Sequence, residues 1–462
     1  SSHFCSSLFD SSTTRFYIRL LRKSDTRRSR FPLAMAEKLE AVNWEATVSP
    51  LEQYLKRGST ITETHRRALK LQQFMDLAEF VQTVLAEVEI IDPHPQFSVG
   101  RITWQNVNLY HMNDLFVKKL TLSPDTGDTC SFVELVASGP QDPVWFISHW
   151  WGTVFSKTIQ KMSFHAKARS LQPDSTYWMC TFANNQHALG ELDDPDMLHT
   201  PFARAILFDS CHGTVVFLDA KATPFHRAWC VLEAYVTREI AKKERPFLMD
   251  VASIVEGGSQ IRDGRRIATS AVLLKDDGSG EMHDVCECKG ARLPYSVAKE
   301  SAHISIQTAQ ATNAEDKHNI LRLIVGETDV SKPIPESHPQ YDVVNGVIQR
   351  MFAPRALFAY ALDKDTDEVR RLLAGSFCHP DARTEDGTTA MHVAAQLGDI
   401  KTMECLLEFG ADPQPLNDNK ASPAVRAAQH NRVGALQVLL DAKADIHIPN
   451  QKGNTPLDFG AG

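Results

Sequence analysis

Early in the chain, apolar positions recur with the period of a helix. Within 60–90, Phe74, Leu77, Val81, Val84, Leu85 and Val88 fall at three- and four-residue steps, which predicts an amphipathic helix with one apolar face. Asp92-Pro93-His94-Pro95 ends it, because a residue before proline is pushed away from helical geometry. A second helix is expected around Ile102–Leu120. This helical region, 36–125, fits two readings: a partner-binding hairpin, or a cap packed on the following domain, which needs fewer assumptions.

From about residue 131 the pattern becomes one of short apolar runs separated by helical stretches. Val144–His149, Tyr177–Phe182 and Thr214–Asp219 read as buried strands, and Phe247-Leu248-Met249 begins a fourth. Helices are expected over Val154–Arg169, Met197–Phe208 and Pro224 to about Lys243. Thr223 suits the cap of the last one, Pro224 its first position and Lys242-Lys243 its end. Strands of five or six residues alternating with longer helices predict a parallel α/β sheet of flavodoxin type. Residues 256–300, rich in Gly and Asp, read as a hairpin or excursion. A strand at His303–Gln307 and a helix at Ala314–Val325 would close the domain, giving it bounds of 131–326. Residues 327–354, which begin with a proline-rich stretch, read as a linker.

The last section repeats. Leu406-Leu407-Glu408-Phe409-Gly410-Ala411-Asp412 aligns with Leu439-Leu440-Asp441-Ala442-Lys443-Ala444-Asp445 at a spacing of 33, and Gly387, Lys420 and Gly453 fall on the same interval. Thr388-Thr389-Ala390-Met391-His392-Val393-Ala394 resembles the T-P-L-H-x-A start of an ankyrin repeat. Ser422-Pro423-Ala424 opens a second copy, Thr455-Pro456-Leu457 a third, and Arg370-Arg371-Leu372-Leu373 an earlier half-repeat. Residues 355–462 are therefore expected to form an all-α ankyrin solenoid whose last repeat is incomplete. That resemblance implies a protein partner on the repeat surface; the alternative is a stack that only packs within its own chain.

Totals narrow the function classes. A chain of 462 residues exceeds one core and suggests two to four domains. Its 43% apolar and 23% charged residues are ordinary for a globular protein. No run of 18 apolar residues predicts a membrane span, and the net charge of −8 does not favour nucleic acid. The nine cysteines are odd in number and mostly isolated, which points to a reducing compartment and a cytoplasmic location. Residues 1–35, rich in Ser and Arg, read as a disordered leader or a targeting segment.

Ligands of open parallel sheets bind beyond the carboxyl ends of the strands. Here those ends carry Ser148, His149, Trp150, Trp151 and Gly152, then Asn184, Asn185 and Gln186, then Asp219. Either tryptophan could stack on a planar ring, and the amides could bond a base or ribose. Neither G-x-G-x-x-G nor G-x-x-x-x-G-K occurs, so a standard dinucleotide or triphosphate cradle is not expected. The next helix carries Arg227-Ala228-Trp229-Cys230-Val231-Leu232-Glu233. Glu233 shares a face with Trp229 and Cys230, and such a carboxyl has a raised pKa unless a cation, for which Arg227 is the candidate, compensates. It reads either as an active-site acid or as a buried group pinning a loop. His149, His187, His212, Cys180 and Cys211 lack ligand spacing, so no metal site is expected.

The order strand–Ser148–His149–Trp150–Trp151–Gly152, then Asn184-Asn185-Gln186, then Asp219 and Arg227-x-Trp229-Cys230-x-x-Glu233 resembles a Toll/interleukin-1 receptor (TIR)-like domain over about 140–325. It is most similar to those of single-celled algal proteins, often joined to ankyrin repeats. Paired tryptophans stand where the family has small or basic residues. The resemblance implies either self-association as a signalling adaptor or, through Glu233, cleavage of the nicotinamide–ribose bond of NAD as substrate. A carboxylate would stabilise the oxocarbenium-like state of such a cleavage. No other cofactor is implied.

Overall fold

A computed structural model describes residues 58–459, except 95, 98, 124–125, 191–195, 242–245, 257–260, 263–264, 267–268, 279–281, 287–290, 312, 328 and 330. The expected leader and the Lys242-Lys243 helix end lie outside the described residues. The chain divides into two compact units. One holds the described residues up to Asp219 with Leu232–Ala291 and Ala311–Val330; the other holds Ala220–Val231, Arg292–Gln310 and the described residues from Ser331.

The first unit is built on one seven-stranded sheet: β1 (Leu69–Lys70), β2 (Trp145–His149), β3 (Thr176–Trp178), β4 (Gly213–Leu218), β5 (Leu248–Glu256), β6 (Thr269–Asp276) and β7 (Met282–Cys286), in the order β1-β3-β2-β4-β5-β6-β7. β3, β2, β4 and β5 run parallel; β1 pairs antiparallel with β3 on one side, and on the other β6 pairs antiparallel with both β5 and β7. Every residue of β2 and β4 is buried, as strands covered on both faces require. Gly213 opens β4 because a Cβ there would lie 2.5 Å from the Leu248 carbonyl and 2.7 Å from the Trp145 ring.

Helix α1 (Leu71–Glu87) presents the expected apolar face: Phe74, Leu77, Val81, Val84 and Leu85 are buried in the core of this unit, as is Val88 just beyond it. α2 (Phe155–Ala168) packs against α1, β5 and β6. α3 (Cys180–Ala183) is one turn after β3, α4 (Pro201–Ile206) precedes β4, and α5 (Ala228–Tyr235), of which Leu232 onward belongs to this unit, follows it. α6 (Ala314–Val325) matches its expected bounds, with Asn313 capping its start and left-handed Gly326 its end.

Several expectations are corrected. The second helical stretch begins at Leu109, since Arg101-Ile102 pairs as a strand with Ile90-Ile91. The strand read over Tyr177–Phe182 ends at Trp178, and Cys180 begins a helical turn. The 256–300 region does hold a hairpin, β6–β7, but it joins the main sheet and makes the parallel sheet expected there a mixed one. Ala222, left-handed at φ 51°, rather than Thr223, stands at the N-cap of the turn Thr223–His226 that leads into α5. His303–Gln307 is no strand: Ile306 N–H bonds Asn345 Oδ1, and turn bonds serve its neighbours.

The second unit contains α7 (Pro339–Asp363), which begins inside the supposed linker because His338 caps it and Pro339 suits its first turn. α8 (Thr366–Ala374), α9 (Ala390–Leu397), α10 (Ile400–Glu408), α11 (Pro423–Gln429) and α12 (Val433–Asp441) follow as helical hairpins. α7, α9 and α11 pack in line, and so do α8, α10 and α12. Gly387, Lys420 and Gly453 are all left-handed, at φ 72°, 54° and 81°. Bonds at repeat spacing tie neighbours together: Asp412 N–H to Asp381 Oδ1 at 3.0 Å, Asp445 N–H to Gln414 Oε1 at 2.7 Å, and Arg383 to the Leu416 carbonyl at 2.9 Å. Among the described residues no helix is long and apolar enough to cross a membrane.

Candidate functional site

In the first unit the chain passes from β2 to β3 on one side and from β4 to β5 on the other, so the carboxyl ends of the parallel neighbours β2 and β4 flank a switch point of the kind where open α/β sheets bind ligands. Ser148 and His149 end β2, and Asp219 follows β4. Glu233 lies on α5. Ser148 is 1% exposed and Glu233 6%; the serine hydroxyl faces the carboxyl, and Ser148 Oγ and Glu233 Oε2 make no bond to any other group. Burial pushes the Glu233 carboxyl up to about 8, with the Ser148 hydroxyl pulling the other way. At neutral pH Glu233 is mostly a neutral acid, able to donate a hydrogen bond as well as accept one.

Beside it lies Cys180, which the sequence reading weighed only as a metal ligand. Burial pushes its thiol up to about 12, and the charge of Glu233 acts in the same direction. The Trp151 indole N–H donates to its Sγ at 3.3 Å, and His149 Nε2 lies 3.8 Å from Sγ and 3.4 Å from Thr181 Oγ1. Burial pushes the His149 imidazole down to about 4, so it is neutral. A thiol so firmly protonated is a poor nucleophile.

Lys161, on α2, was not anticipated. It is 1% exposed, its ammonium donates to the Leu218 carbonyl at 3.3 Å, and it sits 5.2 Å over the Phe217 ring. Burial lowers it to about 7 and Asp219 acts to raise it. Its place in the stripe Phe155, Thr158, Lys161, His165 was the available signal, since those residues share the inward face.

The amides divide. Asn184 is buried with its Oδ1 unpaired. Asn185 Nδ2 donates to Thr129 Oγ1 at 3.0 Å, and Gln186 Nε2 donates to the Cys180 and Thr181 carbonyls, both at 3.1 Å, so these two hold the loop. The Trp150 ring lies over Gly152, where a Cβ would come within 2.2 Å of it. Arg227, Trp229 and Cys230 belong to the second unit, where the Arg227 backbone pairs with Gln310. Of the candidate metal residues, His149 and Cys180 meet, whereas His187 Nε2 lies 3.0 Å from Thr121 Oγ1 and Cys211 bonds the Gly213 carbonyl. Among the described residues no group of three or more His, Cys, Asp or Glu could hold a metal ion.

The second unit offers a surface. Its turns expose Glu385, Asn419 and Gln451, while Thr389 and His392 are buried between repeats. His392 Nδ1 accepts from the Thr389 N–H at 3.2 Å, which leaves Nε2 to donate to the Ala421 carbonyl of the next repeat at 2.9 Å. Residues 356–458 match the family of ankyrin repeats (3 copies). This section is a stack of ankyrin repeats. The chain is 30% identical over 100 residues to the inactive serine/threonine-protein kinase TEX14 of Mus musculus, covering 22% of this chain and 7% of that protein. It is 32% identical over 106 residues to Rabankyrin-5 of Homo sapiens, covering 22% and 9%. Against the neurogenic locus notch homolog protein 1 of Danio rerio the figure is 39% over 77 residues, 17% of this chain and 3% of that protein. The chain spans less than a tenth of the length of each of these relatives.

Proposed function

We propose that this chain is a scaffold that captures a partner protein on its ankyrin stack, with the sheet unit serving as a TIR-like module that associates with copies of itself or with other partners. The observation carrying the first half is the stack, whose turn tips recur every 33 residues and leave polar side chains in solvent. The second half rests on the Trp-Cys-x-x-Glu resemblance. Pull-downs with the intact chain, with 355–462 deleted, and with Glu385, Asn419 and Gln451 changed to Ala test it. Partners lost in both variants support docking on the stack; an unchanged partner set reduces the stack to internal packing.

One observation favours a second reading, NAD hydrolysis at Glu233: a carboxyl oxygen and a serine hydroxyl at the switch point that make no bond to any other group. Stabilising an oxocarbenium-like state requires the ionised carboxylate. Nicotinamide release from NAD would then rise with pH through about 8 and vanish in Glu233→Gln. Release that is absent at all protein concentrations, or indifferent to that substitution, excludes the reading.

A further inference from the structure

We propose that residues 101–111, which precede the sheet's central strands, are part of the switch-point site: they hold the Trp150–Thr153 turn, and Tyr110 positions the Trp151 ring against Cys180. This rests on the reading of the Ser148–Cys180–Glu233 cluster as a site.

The turn leaving β2 is not held by the sheet alone. Val107–Leu109 runs antiparallel beside it: Leu109 N–H donates to the Trp151 carbonyl at 2.9 Å, Phe155 N–H donates to the Val107 carbonyl at 2.7 Å, and Asn108 bridges Val154 between them. Trp104 packs on Phe155 edge-on at 5.9 Å. The four residues bearing the paired tryptophans are therefore clamped at both ends by a segment some 45 positions upstream.

Tyr110 reaches from that clamp to the Trp151 ring, 5.5 Å between centroids at 60°. Trp151, packed against the core of this unit, thus touches both the Tyr110 ring and the Cys180 sulfur. Tyr110 is itself immobilised. His111 is fully buried; its Nδ1 accepts from the Asn108 N–H at 3.2 Å, which leaves Nε2 to donate to Asp92 Oδ1 at 3.0 Å. Asp92 also accepts from the His94 and Val99 N–H groups. The Phe97 ring closes the far side of Tyr110 at 5.3 Å. A chain of contacts thus runs from Asp92 to the thiol; its link from Tyr110 to Trp151 is aromatic contact alone, and its last is the Trp151 N–H bond to Cys180 Sγ.

The test is alkylation of the full chain by iodoacetamide, followed cysteine by cysteine by mass spectrometry. Tyr110→Ala frees the Trp151 ring and should speed modification of Cys180 by about three- to tenfold, the shift expected on losing one aromatic pair. Tyr110→Phe keeps the ring and should leave the rate unchanged. Cys211, buried just before the opposite end of β4, serves as the control for general loosening and should stay at its wild-type rate in both. An unchanged Cys180 rate in Tyr110→Ala, a matching rise at Cys211, or failure of Tyr110→Phe to restore the slow rate overturns the proposal. Because the readout is thiol exposure and not turnover, it can fail while Glu233 remains a site, and succeed where no NAD is cleaved.

Discussion

Arg169 grips Asp250 through both carboxylate oxygens, 2.8 Å from Nε to Oδ2 and 2.5 Å from Nη2 to Oδ1. His165 Nε2 lies 3.0 Å from Oδ2, its Nδ1 meets the Tyr177 hydroxyl at 2.8 Å, and the Asp276 N–H donates to Oδ1 at 2.9 Å. Asp250 and His165 are fully shielded from water. Burial alone would raise the Asp250 carboxyl, but His165 and Arg169 outweigh it and hold it below its usual range. Asp250→Ala takes the carboxylate from the partly buried Arg169, which keeps only its bond to the Asp276 carbonyl, and from the buried His165, and should cost about 3–5 kcal/mol in urea unfolding. A loss under about 1 kcal/mol would mean the network is worth no more than a surface ion pair.

Glu233 makes the opposite prediction. Its folded pKa of about 8 stands above the ordinary 4.5. The folded state therefore keeps a proton that the unfolded state gives up, and stability is lost as pH rises across that window, by on the order of 4 kcal/mol. Glu233→Gln removes the titration. Its melting temperature should match wild type near pH 4.5 and exceed it above pH 8. Parallel pH profiles for the two proteins would show that the carboxyl ionises freely when folded.

Lys161 titrates with the other sign. Its ammonium is lowered from 10.5 to about 7, so the folded state binds fewer protons between those values and the penalty for burying the charge is complete only below about pH 7. Lys161→Met should stabilise the chain most in mildly acidic buffer, and the gain should fade as pH climbs toward 10.5. Thermal melts across that range decide it; a destabilised variant at every pH would mean that the bond to the Leu218 carbonyl outweighs desolvation.

Lys420 occupies a left-handed turn, φ 54°, where the equivalent positions are Gly387 and Gly453. A side chain there is strained by roughly 1 kcal/mol relative to glycine. Lys420→Gly should raise stability by about that amount, less the entropy glycine loses on folding. Differential scanning calorimetry reads the change, and a lower melting temperature would refute the strain.

Elements whose pattern is long or periodic were legible: the face of α1, the buried runs of β2 and β4, α6, and the 33-residue repeat. What escaped was short or context-made. β1 is two residues that become a strand only because Tyr177 and Thr176 offer a ladder. β6 and β7 were masked by Gly and Asp around their connections. His303–Gln307 alternates like a strand, yet Ile304 and Ile306 bury themselves in a turn. Around the switch point, spacing singled out Ser148, His149, Trp151 and Glu233 as candidates. Asn185 and Gln186 could not be sorted from Asn184, because their bonds go to Thr129 and to the α3 carbonyls. Lys161 went unnoticed because an aliphatic stem fills an apolar face as well as leucine does.

The ties between successive ankyrin repeats have a mechanical consequence. Asp381 holds Asp412, Gln414 holds Asp445, and His392 holds Ala421, each one repeat ahead. Tension applied at the C-terminus would load these links one after another. The stack would pay out chain in increments of one repeat, each releasing roughly 110 Å of contour, a staircase of rupture in which the turn tips detach in order.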